Sequence, residues 1–192
     1  VVDAHGRVDV DAAEQGVAVN VEHIYWANGG HPQGNSAAAV ATRTIGRAEL
    51  SGAGADQECI PVDFGSQEHK PQGIAINATH IYAATNGTQS FSSLFRYELG
   101  CNAASRIFFF DSQHPGLAGL RGLALDASFV YWARQGQNTI GRVELADFDL
   151  EPGEQTPERE WIKGAQFPVG LAVNASHVFW AANQGAPPNA GN

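Results

Sequence analysis

Three histidines recur along the chain in the same local setting, and residues of this type could bind a metal ion together. His23, His80 and His177 each stand at the start of an apolar, aromatic run. The matching residue of a further run is Phe129, which has no metal-ligating atom. Because this position recurs at intervals of about 50 residues, we expect these side chains to pack in turns. We expect neither a metal nor any other cofactor.

A second set of polar side chains occurs singly instead of recurring in each unit. Histidine, asparagine and arginine suit hydrogen bonding to a peptide, a carbohydrate or a small polar ligand. These residues lie at the ends of the apolar runs or in the connections between them, so we expect one shared loop surface. The predicted ligand-binding residues are Asn28, His31, His69, Asn86, His114, Arg121, Arg134 and Asn138, with Gln113, Gln135 and Asn183 nearby in sequence.

An internal repeat shows which elements must position these side chains. Four segments begin at Gly16, Gly73, Gly122 and Gly170, and each continues into an aromatic run such as Ile24-Tyr25-Trp26. In the first three units, a third run of the type Ile-Gly-Arg-x-x-Leu and a looser fourth run follow. Short β-rich runs separated by Gly, Asn, Ser and Pro clusters are typical of strands joined by turns.

Units of this kind predict an all-β fold, a β-propeller of four-stranded antiparallel blades. We name the four runs of a unit strands A to D in chain order. The aromatic strand B is apolar on successive residues, as expected of a strand that neighbouring blades cover on both faces. In such a blade the B–C and D–A connections share one face, and the candidate ligand-binding residues fall there.

The repeat divides the chain into about three full blades with partial blades at both ends. The predicted blades are 16–72, 73–121 and 122–169, with strands A and B of a further blade in 170–192. We expect strand D of a preceding blade within residues 1–15, at Arg7–Val10. The chain has no methionine and begins at Val1, so we expect a piece of a larger ring. The alternative is a closed four-bladed ring that Arg7–Val10 completes.

The run from Ile24 to Asn28 and the later Thr44-Ile45-Gly46-Arg47 resemble the YWTD repeats of lipoprotein-receptor propellers and their secreted bacterial relatives. The blades are also similar to those of streptogramin lyases and NHL-type propellers. The aspartate of the YWTD motif is absent, because the residues after strand B are Asn28, Thr85, Arg134 and Ala182. The resemblance implies a bacterial-type propeller, without any role tied to that aspartate.

The resemblance to streptogramin lyases also implies where an enzyme of that kind would hold its catalytic groups. These are a histidine just before strand A, and a glutamate and a histidine after strand B. The residues before strand A are Gln15, Gln72, Arg121 and Val169. We therefore predict a non-catalytic binding or interaction module. Two alternatives stay open: a lyase or hydrolase whose catalytic residues lie in further blades, and a purely structural repeat module.

Each strand C carries an arginine two residues before a glutamate, as in Arg142 and Glu144. Residues two apart share one face of a strand. We expect such an arginine to form an ion pair within its blade or to pack over an aromatic ring. We do not expect these arginines to bind a ligand.

The charge of the chain limits its partners. Eleven Lys and Arg against twenty Asp and Glu give a formal net charge of -9, whereas nucleic acid and anionic lipid require a basic surface. No run approaches the ~20 apolar residues of a membrane-spanning helix. We expect no nucleic-acid partner and no membrane insertion, but an unidentified protein, peptide or carbohydrate ligand.

The two cysteines, Cys59 and Cys101, lie at C–D connections of adjacent predicted blades, about one repeat apart. A disulfide between them is geometrically plausible if their Cα atoms lie within about 7 Å. The alternative is two buried free thiols. A bridge would favour an oxidising compartment, in keeping with the extracellular, periplasmic or cell-surface location that we expect.

Overall fold

The chain folds into antiparallel β-sheets in which sequential strands lie side by side. The computed structural model describes residues 16–29, 43–62, 70–86, 92–111, 119–150, 154 and 156–183. These residues form three four-stranded sheets and one two-stranded sheet. This architecture confirms the predicted all-β fold of four-stranded antiparallel blades.

The spatial order of the strands in each sheet is their chain order. The first sheet consists of β1 (Val17–Val19), β2 (His23–Gly29), β3 (Arg43–Glu49) and β4 (Asp56–Pro61). The second consists of β5 (Lys70–Ile76), β6 (His80–Asn86), β7 (Ser92–Glu98) and β8 (Asn102–Asp111). The third consists of β9 (Leu120–Leu125), β10 (Phe129–Arg134), β11 (Thr139–Glu144) and β12 (Glu158–Lys163). The two-stranded sheet consists of β13 (Pro168–Val173) and β14 (Val178–Ala182). The leading strand expected at Arg7–Val10 lies outside the described residues.

Strand B of the second sheet is buried on both faces. Ile81 and Ala83 belong to a core shared with the first sheet, while Tyr82 and Ala84 belong to a core shared with the third sheet. Successive residues of a strand point to opposite faces. A strand between two neighbouring sheets therefore needs an unbroken apolar run, and this packing explains the aromatic runs of the sequence.

The repeat glycines lie where the first strands of neighbouring sheets touch. A β-carbon built on Gly73 would lie 2.3 Å from the carbonyl oxygen of Arg121, and one built on Gly122 would lie 2.5 Å from that of Val169. Both distances are far below van der Waals contact, and a close-packed backbone does not move aside cheaply. Glycine at this position lets the strands A of adjacent blades approach backbone to backbone.

Residues that lie opposite each other on strands B and C fill one space together. The pairs are Trp26 with Gly46, Ala83 with Phe95, and Trp132 with Gly141. A β-carbon built on Gly141 would lie 2.4 Å from the indole ring of Trp132, so the tryptophan occupies the space above the glycine. In the second sheet the small residue of the pair is on strand B and the large aromatic residue is on strand C. Each pair therefore holds one large aromatic residue, on either strand.

The two cysteines join the first sheet to the second. Cys59 in β4 and Cys101, directly before β8, form a disulfide with their Cα atoms 4.7 Å apart. This separation lies within the usual range for a disulfide. The bridge connects the outer strands of two sheets whose strands A touch at the repeat glycines, so the junction is held at both its inner and its outer edge.

The turn between strands A and B is built in the same way in all four sheets. Its first residue accepts hydrogen bonds of 2.7–3.0 Å from the backbone N–H groups two and three positions on. Short polar side chains favour turns because they can bond to the backbone in this way. The turn residues are Asn20, Asn77, Asp126 and Asn174.

Asp126 is the one acidic member of this set, and it has an additional partner. Its Oδ2 accepts a hydrogen bond of 2.8 Å from the hydroxyl of Tyr131. Burial alone would raise the pKa of Asp126, but the hydrogen bonds from Ser128, Tyr131 and Phe129 outweigh it, and the pKa lies below its ordinary value. The ionised carboxylate therefore stabilises this turn.

Replacing Gly122 with alanine is expected to destabilise the chain by about 3 kcal/mol, because the new methyl group overlaps backbone atoms of Val169 and Gly170. Gly170→Ala is the matched control, since the nearest described atom to its β-carbon would be the β-carbon of Ala181, at 3.9 Å. We expect this control to change the free energy of unfolding by less than ~1 kcal/mol. Urea unfolding of both variants measures the difference, and equal losses would contradict the proposed contact.

Replacing Asp126 with asparagine is expected to remove a pH-dependent part of the stability. The folded pKa of Asp126 lies below its unfolded value, so its contribution is present above the unfolded pKa and is lost as the pH falls through the folded pKa. The stability advantage of the native chain over Asp126→Asn should therefore shrink as the pH falls below the ordinary aspartate pKa of 3.8. Urea unfolding at several pH values measures it. Tyr131→Phe should weaken the same pH dependence, and a pH-independent difference between native chain and Asp126→Asn would refute this account.

Candidate functional site

The two ends of the blades hold their polar groups in different ways. We call the end with the A–B and C–D turns the turn end, and the end with the B–C and D–A connections the loop end. Of the ten buried polar or charged side chains in the described part of the chain, all except Arg96 and Asp147 lie at the loop end. They are Arg43, Thr44, Gln72, Thr85, Ser92, Ser93, Arg134 and Thr139.

The recurring histidines lie at the turn end and pack within their own turns. The Nδ1 of His80 lies 2.8 Å from the Thr79 hydroxyl, and that of His177 lies 2.7 Å from the Ser176 hydroxyl. The ring at this position also stacks near the aromatic ring two residues on, at centroid distances of 5.9–6.3 Å in all four sheets. Burial and the neighbouring charge of Arg96 lower the pKa of His80. Phe129 can replace a histidine here because the shared role is ring packing.

An open groove of about 350 Å³ also lies at the turn end, on the first sheet. Its lining includes His23 of the repeated turn and the exposed residues Glu22 and Glu49. No side chain in this lining is both polar and buried. The groove is therefore a weaker candidate for a ligand site than the loop end.

At the loop end, a polar side chain of strand B bonds to strand C in each four-stranded sheet. Asn28 Nδ2 donates to Thr44 Oγ1 at 2.9 Å in the first sheet. In the second sheet the Thr85 hydroxyl donates to the carbonyl oxygen of Ser93 at 3.4 Å. Three different residue types thus perform one task in the three sheets, which is to hold together the ends of strands B and C.

Arg134 performs this task in the third sheet with a buried guanidinium. Its Nη1 donates to Thr139 Oγ1 at 3.5 Å and to the backbone oxygen of Arg159, in the neighbouring strand β12, at 2.9 Å. Burial lowers the pKa of Arg134. The side chain spans strands B, C and D of its own blade and so supports the loop end from inside.

Arg121 bridges two blades at the loop end. It lies in β9 immediately before the repeat glycine, and its Nε donates to Oε1 of Gln135 at 2.9 Å. Its Nη1 donates to Oε1 of Gln72, which lies in β5 of the second sheet. Gln72 and Gln135 are neutral amides, and their oxygens orient the guanidinium. The half-buried Arg121 is therefore a positioned cation at the junction of the second and third blades.

Asn138 connects the third sheet to the fourth. It adopts a left-handed backbone conformation with φ at 55°, directly after the 3-10 turn at Gln135–Gln137. Asparagine tolerates this conformation better than most residues. Its Oδ1 accepts a hydrogen bond of 2.9 Å from the backbone N–H of Phe167, just before β13.

The predicted ligand-binding residues divide into three groups. The side chains of Asn28, Arg121, Arg134 and Asn138 lie at the loop end, in the contacts given above. Asn86 ends β6 in the backbone register opposite Lys70 and Ser92, and its side chain lies outside the described part. His31, His69 and His114 lie outside the described residues, so a site that they share with Arg121 stays a prediction.

Gln72 was not among the predicted ligand-binding residues, although it contacts one of them. It is buried in β5, and its carbonyl oxygen receives the bond from Arg121. Its position in the sequence could have indicated this contact, because Gln72 and Arg121 each directly precede a repeat glycine. Strands A of adjacent blades meet at these glycines. Polar residues at equivalent positions of neighbouring repeats are therefore candidates for contact.

Two arginines of strand C pair with carboxylates on other elements. Arg142 donates to Glu158 of β12 at 2.8 Å, and its guanidinium carbon lies 4.4 Å from the centroid of the Phe129 ring. Both contacts stay within one blade, as expected. Arg96 of the second sheet instead pairs with Asp149 of the third unit, at 2.5 Å. This ion pair joins two blades instead of lying within one, and the guanidinium carbon of Arg96 lies 5.5 Å from the centroid of the Phe148 ring, which is the second arrangement that we expected.

Searches by sequence do not place the chain in a family. No protein-family model matches it, and no curated protein matches it. The part of the chain that the structure describes has no helix with the length and apolar character needed to cross a membrane.

Solved structures similar to this chain exist at low sequence identity. A streptogramin B lyase structure is 12% identical with a TM-score of 0.57, over 93% of this chain and 51% of the lyase chain. A DUF4623 family protein from Bacteroides eggerthii is 11% identical with a TM-score of 0.55, over 88% of this chain and 41% of that protein. The chain thus spans 51% of the length of the lyase chain and 41% of the length of the DUF4623 protein. The repeat, the sheet topology and this likeness together show that the described residues are blades of a β-propeller.

Proposed function

We propose that this propeller is a non-catalytic binding module whose ligand surface is the loop end of its blades. The observation that carries the proposal is the contrast between the two ends. The turn end has the same hydrogen-bonded turn in all four sheets, so its residues serve as a scaffold. The loop end contains most of the buried polar side chains of the described residues, and they differ in type from blade to blade. Binding residues commonly lie in loops that a regular scaffold positions, and the loop end is such a surface.

Arg121 is the side chain that we propose to contact the ligand. The planar fork of a guanidinium matches a carboxylate or a pair of hydroxyl groups, and prior orientation reduces the entropy lost on binding. Gln72 and Gln135 provide this orientation. A peptide or a carbohydrate offers the complementary groups.

The residues flanking strands A and B support a role without catalysis. Gln72 and Arg121 precede the repeat glycines, Thr85 is the next-to-last residue of β6, and Arg134 ends β10. Amides and hydroxyls do not titrate near neutral pH, and a guanidinium stays protonated, so none of them is a general base there. We further propose an extracellular, periplasmic or cell-surface location, because the Cys59–Cys101 bridge suits an oxidising compartment.

Arrays of oligosaccharides and short peptides, probed with the purified chain, test this proposal. For a compound that the chain retains, Arg121→Gln should raise Kd about tenfold or more, because a hydrogen bond to a charged group is lost. Arg47→Gln is the matched control, with the same change of charge on β3 toward the turn end. It should leave Kd unchanged, and thermal unfolding checks that both variants fold.

Two results would overturn the proposal. Equal effects of Arg121→Gln and Arg47→Gln on Kd would mean that the loop end at Arg121 does not contact the ligand. Chemical conversion of a retained compound during incubation, seen by mass spectrometry, would mean that the module is catalytic.

A further inference from the structure

Arg96 and Arg134 are buried to the same degree, but their charges are compensated differently. Each of the two residues is 6% exposed. Arg96 pairs with the carboxylate of Asp149 at 2.5 Å. Among the described residues, no carboxylate lies within ion-pair distance of the Arg134 guanidinium.

The groups that accept hydrogen bonds from Arg134 are neutral. They are the hydroxyl of Thr139 and the backbone oxygen of Arg159, and both bonds come from Nη1. The Nε atom of Arg134 is buried and has no hydrogen-bond partner. A cation removed from water needs an opposite charge and a full set of hydrogen bonds. Within the described residues, Arg134 has neither of them.

The nearby carboxylate of Glu160 does not fill this role. Burial lowers the pKa of Arg134, and the charge of Glu160 raises it by a smaller amount. Glu160 is exposed, and its carboxylate pairs with Lys163 at 3.3 Å. An anion from outside the chain could therefore compensate the Arg134 charge.

Arg134 faces the junction between the second and third sheets at the loop end. Val130 and Trp132 belong to the core that these two sheets share, and Arg134 continues the same face of β10, because side chains two apart share a face. On the second sheet, the fully buried Ser92 lies on the same face of β7 as Leu94, which also belongs to that core. A guanidinium and a hydroxyl side chain thus enter one junction from its two sides.

Arg121 lies at the same end of this junction. Leu120, the residue before it, is opposite Arg134 in the register of β9 and β10. Arg121 itself donates to Gln72 of the second sheet. Two guanidinium groups therefore belong to one junction, and an anionic group is the chemistry that suits them.

We propose that Arg134 binds the carboxylate group of an anionic ligand at the loop end of the junction between the second and third sheets. The two carboxylate oxygens accept hydrogen bonds from Nε and Nη2, in the paired arrangement that guanidinium and carboxylate groups favour. This contact supplies both the opposite charge and the hydrogen bond to the buried Nε.

This inference deepens the proposed function and rests on it, because it names a carboxylate as the group that the loop end recognises. It gives Arg134 a second role besides tying together strands B, C and D. The two proposals can fail separately. The arrays measure retention of whole peptides and oligosaccharides, whereas the carboxylate site is tested with acetate alone.

The test is a titration of the isotope-labelled 192-residue chain with sodium acetate, in which NMR follows the arginine Nε–H signals. The Arg134 signal is identified by its absence from Arg134→Lys. It should move to saturation, with half of the shift at an acetate concentration on the order of 10 mM. The Arg96 signal is the internal control and should stay in place, because Asp149 already pairs with that guanidinium. Acetamide has a similar shape without the charge and should leave the Arg134 signal unchanged.

Thermal unfolding provides a second measurement. At about 100 mM, sodium acetate should raise Tm by roughly 3 °C more than sodium chloride does, because it binds the folded chain. Arg134→Met should abolish this difference. Arg96→Met makes the same change at an equally buried arginine and should retain it. The titration of the native chain decides the matter if a variant does not fold.

Several outcomes would overturn the inference. They are no saturating shift of the Arg134 signal with acetate, equal shifts with acetate and acetamide, and an equal response of Arg134→Met and Arg96→Met. Equal shifts with chloride and acetate would assign the site to small inorganic anions instead of a carboxylate ligand. A chain that retains array compounds but does not respond to acetate would refute the carboxylate site and leave the binding function standing. Acetate binding by a chain that retains no array compound would support the site and count against the proposed function.

Discussion

The contact between the first strands of neighbouring blades is the constraint on which the rest of this structure depends. At Gly73 and Gly122 the next strand lies so close that a single β-carbon would overlap backbone atoms. This approach brings whole sheets face to face, and the second sheet is then buried on both sides. The unbroken apolar runs, the disulfide and the loop-end contacts between blades all require that spacing.

The space between neighbouring blades limits the combined size of two facing residues on strands B and C, and not the size of either residue alone. A tryptophan opposite a glycine and an alanine opposite a phenylalanine fill the same place with one ring each. A motif defined on strand B alone therefore looks degenerate in the second blade, where Ala83 replaces the tryptophan. Strand C restores the missing volume with Phe95, because a close-packed interior does not tolerate an empty site of that size.

The candidate site could be predicted in position but not in its contacts. Alternation along a strand placed Arg142 and Glu144 on one face, yet Arg142 pairs with Glu158, its direct neighbour across the strand pair. Cross-strand neighbours lie closer than residues two apart on one strand. In the same way, singly occurring polar residues indicated the loop end, whereas the roles of Asn28 and Arg134 in tying strands together followed only from the register.

Local patterns determined that this chain repeats units of short strands, because apolar periodicity and turn-forming residues act over a few neighbouring positions. They also predicted that strand B is covered on both faces, as the structure shows for the second sheet. Only the tertiary structure decided which distant side chains meet: Arg121 contacts Gln72 across 49 positions, and Cys59 contacts Cys101 across 42. Those contacts depend on how one blade stacks on the next, and the packing of entire sheets sets that geometry.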